Sequence, residues 1–125
     1  GVSIAPVGGI QIDPVILSDG LGGAIVAWND KRNNSFFDVY AQRINFSGVS
    51  QWIADGVPVC TATKDQANLN MTEDGANGAI MTWEDYRVNA NNPDIYAQRM
   101  TASGTATWNA DGNGVMIHAG SQIKP

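Results

Sequence analysis

Only one cysteine, Cys60, stands in the 125 residues, so no disulfide forms within the chain. Its ordinary role is that of a small buried apolar side chain in a strand. Basic residues are also scarce: 7 Lys plus Arg face 12 Asp plus Glu, a formal charge of −5, with a pI near 4.4. Nucleic acid requires a basic stripe and an anionic membrane surface a basic patch, so both are excluded as partners. No apolar run approaches the roughly 20 residues of a membrane-spanning helix. No segment spaces its apolar residues at the helical period of 3.6 between caps. Histidine occurs once, as His118, with no partner in the sequence. A nucleophile elbow, a phosphate-cradling glycine loop, a zinc pattern and a dinucleotide fingerprint are all missing. These absences argue against an enzyme and imply no cofactor. The first residue is Gly1, with neither an initiating Met nor a signal sequence, so the chain reads as processed or as a piece of a longer one.

What is present is a repeat. Asp19-Gly20-Leu21-Gly22-Gly23-Ala24-Ile25-Val26-Ala27-Trp28 returns 55 residues later as Asp74-Gly75-Ala76-Asn77-Gly78-Ala79-Ile80-Met81-Thr82-Trp83. After a one-residue insertion, Asp38-Val39-Tyr40-Ala41-Gln42-Arg43 returns as Asp94-Ile95-Tyr96-Ala97-Gln98-Arg99. Ser47-Gly48 matches Ser103-Gly104, and Trp52 with Asp55-Gly56 matches Trp108 with Asp111-Gly112. A period this long marks a stacked supersecondary unit. Residues 1–18 are then a partial repeat, 19–73 the first repeat, and 74–125 the second with the start of another. The first and last 14 residues are equivalent, since Gln11-Ile12-Asp13-Pro14 aligns with Gln122-Ile123-Lys124-Pro125.

The second copy predicts four strands. Residues 67–72 alternate apolar and polar, as a half-buried strand does. Asp74-Gly75 and Asn77-Gly78 supply a turn. Residues 79–83 form a nearly continuous apolar run, the pattern of a strand buried on both faces. A loop from Tyr86 to Pro93 precedes a third strand over 95–100, and a short fourth is expected over 105–108. The expected fold class is all-β: antiparallel four-stranded blades of a β-propeller-type repeat, two full blades plus part of a third. The alternative is a β-sandwich, which has no need of the same sequence twice at one spacing. Two blades cannot close a ring of the usual 4–8. Three copies would make six blades, and a head-to-tail contact that fails to close would make a filament.

Residues common to both copies are candidates for scaffold. Trp28 and Trp83 end the most apolar strands, and Trp52 and Trp108 the shortest. All four suit packing between units, and stacking of a sugar is the competing use. Asp30, Arg32 and Asp38 recur as Asp85, Arg87 and Asp94, bracketing the loop between the second and third strands. A carboxylate at each end with an arginine between suggests a clamp that closes this loop. The alternative is an oxygen-rich Ca²⁺ site from Asp85, Asn89, Asn91 and Asp94, although the spacing matches no standard calcium loop. Loop residues that differ between copies, among them Phe36, Phe37 and Tyr86, are candidates for contact with a partner or glycan, as are Trp52 and Trp108. The loop aromatics could equally tuck back over the strands.

The strings over 18–32 and 38–43 resemble a repeat of large bacterial secreted and cell-surface proteins, where similar units run in tandem and a secretion-sorting tail often follows. That resemblance implies propeller-like blades outside the cell and no defined activity. The chain departs from the pattern in having two repeats and no sorting tail. Its turn also differs from the Asp-box of sialidases, so no glycosidase residues carry over. The expected function is therefore a non-catalytic extracellular module for protein interaction or for surface or filament assembly. It would associate with copies of itself and bind a glycan or surface protein. A lectin-like, glycan-binding module is the alternative.

Overall fold

A computed structural model describes residues 1–33, 35–120 and 122–125. The described residues form eight strands and no helix: β1 (Gln11–Ser18), β2 (Ala24–Asp30), β3 (Asp38–Ile44), β4 (Val57–Cys60), β5 (Gln66–Glu73), β6 (Ala79–Asp85), β7 (Asp94–Met100) and β8 (Asn113–Met116). They make two open four-stranded sheets, ordered β1-β2-β3-β4 and β5-β6-β7-β8, with every neighbouring pair antiparallel. The all-β expectation holds, and each sheet is a simple meander.

The two copies fold alike in detail. Asp13 and Asn68 each take a φ of 52° inside the first strand of their sheet. Each sits in a bulge, where the register slips between Ile12 and Val15 and between Ala67 and Asn70. Asp and Asn tolerate this left-handed conformation, and Pro14 has no N–H to give a ladder. The following turn is held by its first aspartate. Asp19 accepts the N–H groups of Leu21 and Gly23, both at 2.8 Å. Asp74 accepts those of Ala76 at 2.7 Å and Gly78 at 2.8 Å.

The fourth strand departs from expectation. Residues 105–108 make only one bridge, Ala106 to Met100, and the fourth strand is instead Asn113–Met116. The cause is the Gln98 carboxamide. Its Oε1 takes the Trp108 N–H at 3.0 Å, and its Nε2 donates to the Asn109 carbonyl at 2.8 Å. That strap bends the chain away from β7 before a ladder extends. Gln42 does the same to Trp52 and Ile53. Gly112, at φ 87°, then returns the chain beneath Trp83, where a Cβ would lie 2.7 Å from the ring.

One hydrophobic core joins the sheets. Ile25, Ala27, Val39 and Ala41 of the first sheet pack with Leu69, Met81, Trp83 and Tyr96 of the second. β5 lies against β1, with lesser contact to β2 and β3. β2 carries buried residues on both faces, as its unbroken apolar run requires.

Candidate functional site

The loop between the second and third strands is anchored by an arginine. Arg87 grips Asp85 through both oxygens, Nε to Oδ1 at 2.8 Å and Nη2 to Oδ2 at 2.6 Å. It also donates to the Asp111 carbonyl at 2.7 Å and stacks over the Tyr96 ring at 3.8 Å. Arg32 likewise reaches Asp30, the Asp55 carbonyl and Tyr40, but holds Asp30 by a single side-chain bond, Nη2 to Oδ2 at 2.6 Å, and leaves its buried Nε without a partner among the described residues. The Trp28 and Trp83 indoles complete the carboxylates, each donating at 2.8 Å. The arginine therefore ties one carboxylate to the distant turn before the fourth strand. No hydrogen bond joins it to Asp38 or Asp94, the second carboxylates of the expected clamp.

These contacts set the ionisation of the acids. Burial alone would push the Asp30 carboxyl up. The Arg32 guanidinium and the Trp28 and Arg32 N–H donors outweigh it and hold the group below its ordinary range. Asp38 goes the other way, to about 6. Burial is the main cause, and the charges of Asp30 and Asp111 add to it. Burial also lifts the Cys60 thiol to about 12, so it stays protonated and unreactive. Asp85 is surrounded by a guanidinium and an indole N–H, not by further oxygen donors. Asn89 Oδ1 accepts the Asn91 N–H at 2.9 Å within its own loop. Among the described residues no three His, Cys, Asp or Glu side chains converge on a metal-sized site.

The loop aromatics do come together. Phe36 and Tyr86 line a cavity of about 290 Å³ with Lys64, Asp65 and Ala90. Phe37 and Tyr86 line a neighbouring one of about 310 Å³ with Ile12, Asn29 and Asp65. Phe36 is exposed, whereas Phe37 lies under the Lys31 ammonium at 5.3 Å. The Phe37 backbone is strapped to the second sheet, its N–H to Asp65 Oδ1 at 2.9 Å and its carbonyl to the Gln66 N–H at 2.8 Å. The Tyr86 hydroxyl donates to Glu84 at 3.3 Å. Glu84 is itself buried and accepts the Lys124 N–H at 2.7 Å.

No family model, no curated protein and no solved structure matches the chain.

The tryptophans separate into two kinds. Trp28 and Trp83 are sealed in the core. Trp52 spans the sheets: its indole N–H donates to the Ala102 carbonyl at 2.9 Å, and the Arg43 guanidinium shares that oxygen at 3.0 Å. Its ring lies on Gly104, where a Cβ would come within 2.8 Å of it. Trp108, its counterpart, is 37% exposed against 8% for Trp52. The sequence reading missed Lys64 and Asp65, which complete the aromatic cavities. They lie between β4 and β5, outside the paired motifs, so recurrence could not point to them. It also missed the Arg43–Asp19 and Arg99–Asp74 pairs, each at 2.9 Å. Their signal was available, since all four residues recur.

Proposed function

We propose that this chain is a non-catalytic extracellular repeat module whose two sheets are successive β-propeller-type blades, and that it works through protein interaction and assembly. The observation that carries this is the contact between the sheets. It is made by recurring residues, Arg43, Trp52 and the Ser-Gly turn at 103–104; of their counterparts Trp108 is exposed, Arg99 reaches only its own Asp74, and Gly48 lies under Val2. Two consecutive meanders, with the first strand of the second sheet set against the first strand of the first, suit stacked blades. The resemblance to tandem repeats of bacterial secreted and surface proteins supports an extracellular place. The acidic surface supports protein or glycan partners over nucleic acid. The acids that could do chemistry are engaged otherwise: Asp30 and Asp85 by arginines, Glu84 by Tyr86 and the Lys124 amide.

Native mass by light scattering behind a sizing column tests this. A discrete multiple of 13.3 kDa, such as a trimer completing six blades, or a polydisperse series from open growth, is the expected result. A clean monomer at all concentrations would sink the assembly reading. A second reading, glycan binding, is favoured by the meeting of Phe36, Phe37 and Tyr86 around adjoining cavities. It requires glycan-array binding that Phe36→Ala and Tyr86→Ala abolish.

A further inference from the structure

The molecule contains a template for what would cover its own open face. Within the chain, the outer face of the first sheet is closed by the second sheet. The second sheet repeats that face and covers only its edge, where residues 122–125 take the place of the start of β5: the Gln122 N–H donates to the Pro93 carbonyl at 2.9 Å as that of Gln66 does to Phe37 at 2.8 Å, and the Lys124 N–H donates to Glu84. Ile25 is fully buried, but its counterpart Ile80 is only partly so. Cys60 is 1% exposed and lies 3.8 Å from Asp85, whereas Met116, at the same place in β8, is 51% exposed. Trp52 is covered and Trp108 is not.

The opposite end of the molecule offers the complementary surface. Met71 and Met81 of the second sheet pack against the first. Their counterparts on the first sheet are Ile16 and Val26. Ile16 is 71% exposed. On the same sheet Val26 and Trp28 line a cavity of about 310 Å³ together with residues 2–5. Those residues correspond to β4 by sequence. By the repeat they are the counterpart of the last strand of a preceding sheet. The turn that receives Trp52 also has its counterpart here: Phe46 and Gly48 replace Ala102 and Gly104. Gly48 keeps the positive φ, 77° against 84°, and Phe46 is exposed.

We infer that the largely uncovered face of the second sheet docks on the leading face of the first sheet of another copy, repeating the internal contact between molecules. This rests on the assembly reading above and names its partner and its faces. Trp108 takes the place of Trp52, its indole N–H and the Arg99 guanidinium meeting at the Phe46 carbonyl of the second copy and its ring covering Gly48. Met116 comes to lie opposite the second copy's Asp30, as Cys60 lies opposite Asp85. Residues 2–5 of the second copy yield to the incoming β8, and residues 122–125 of the first yield to the second copy's Gln11–Pro14, because each pair fills the same place. The two surfaces differ, so the contact is head-to-tail and each docked copy presents a fresh face.

Sedimentation velocity on the full chain, over a concentration series, tests the inference. The wild type is expected to associate reversibly. Trp108→Ala, Met116→Glu and Ile16→Glu should each weaken association roughly tenfold or more, Met116→Glu by setting a carboxylate against Asp30. Far-UV circular dichroism checks that these surface changes leave the sheets intact. Met116→Glu mixed 1:1 with Ile16→Glu should return a dimer, because each retains the face the other has lost. A wild type that stays monomeric overturns both this inference and the assembly reading. A wild type that associates while the variants associate equally well overturns the inference alone and leaves assembly by another surface. So does a mixture that stays monomeric.

Discussion

A buried carboxylate needs a partner, and this chain provides one to most of its buried acids within a few residues. Asp30 and Asp85 have arginines two positions on. Asp19 and Asp74 have two turn amides each and an arginine across the sheet. Asp38, like its counterpart Asp94, is an exception, since Arg32 turns to Asp30 and Arg87 to Asp85. The Asp38 carboxyl rises from an ordinary 3.8 to about 6 in the folded chain. A raised folded value means the folded state holds its proton more tightly than the unfolded state. The stability associated with the neutral group is full below about pH 4 and is lost as pH rises towards 6. Asp38→Asn should therefore raise stability near pH 7 by about 1 kcal/mol, allowing for partial screening, and change little at pH 4. Urea unfolding at the two pH values measures this. The pairing of Asp30 with Arg32 was legible in the sequence because it is local. The isolation of Asp38 was not, because Asp111 is brought beside it only by the packing of the two sheets.

At the scale of elements, three of the four strands of the second copy were legible from alternation and turn residues. The fourth was misplaced. Residues 105–108 read as a strand because Thr and Trp suit pleated surfaces, but the Gln98 carboxamide, ten and eleven positions back, takes the Trp108 N–H and the Asn109 carbonyl and ends the pairing there. Alternation carries no record of such a competitor. The Asp-Gly turn, by contrast, was legible and is tightly constrained. A Cβ on Gly78 would lie 2.3 Å from the Met100 carbonyl and 2.7 Å from Asp74 Oδ2. Neither backbone nor anchored carboxylate can move away cheaply. Gly78→Ala should cost about 2 kcal/mol or more, read as a lowered urea midpoint with an unchanged slope.

At the scale of the whole molecule, one sequence motif occupies two environments. Trp52 and Trp108 are the same residue in the same local fold, yet one is covered by the other sheet and the other is not. Trp52→Ala should cost about 3–5 kcal/mol, as loss of a large buried aromatic does. Trp108→Ala should cost about 1 kcal/mol or less in the monomer. Thermal unfolding of the two variants at low concentration makes the comparison, and equal losses would show that the sheets do not depend on Trp52 for their contact.

The sequence by itself determined the strand-rich class, the two equivalent units, their turns and the pairing of Asp30 with Arg32 and of Asp85 with Arg87. All of these rest on interactions between residues near in the chain, which composition and spacing encode. Only the tertiary structure decided which copy of each recurring residue is covered, where the last strand of each sheet lies, and that Phe36, Phe37 and Tyr86 surround common cavities. Those outcomes depend on how one sheet lies on the other. Two identical motifs carry the same local instructions, and their fates diverge only when packing gives one of them a neighbour.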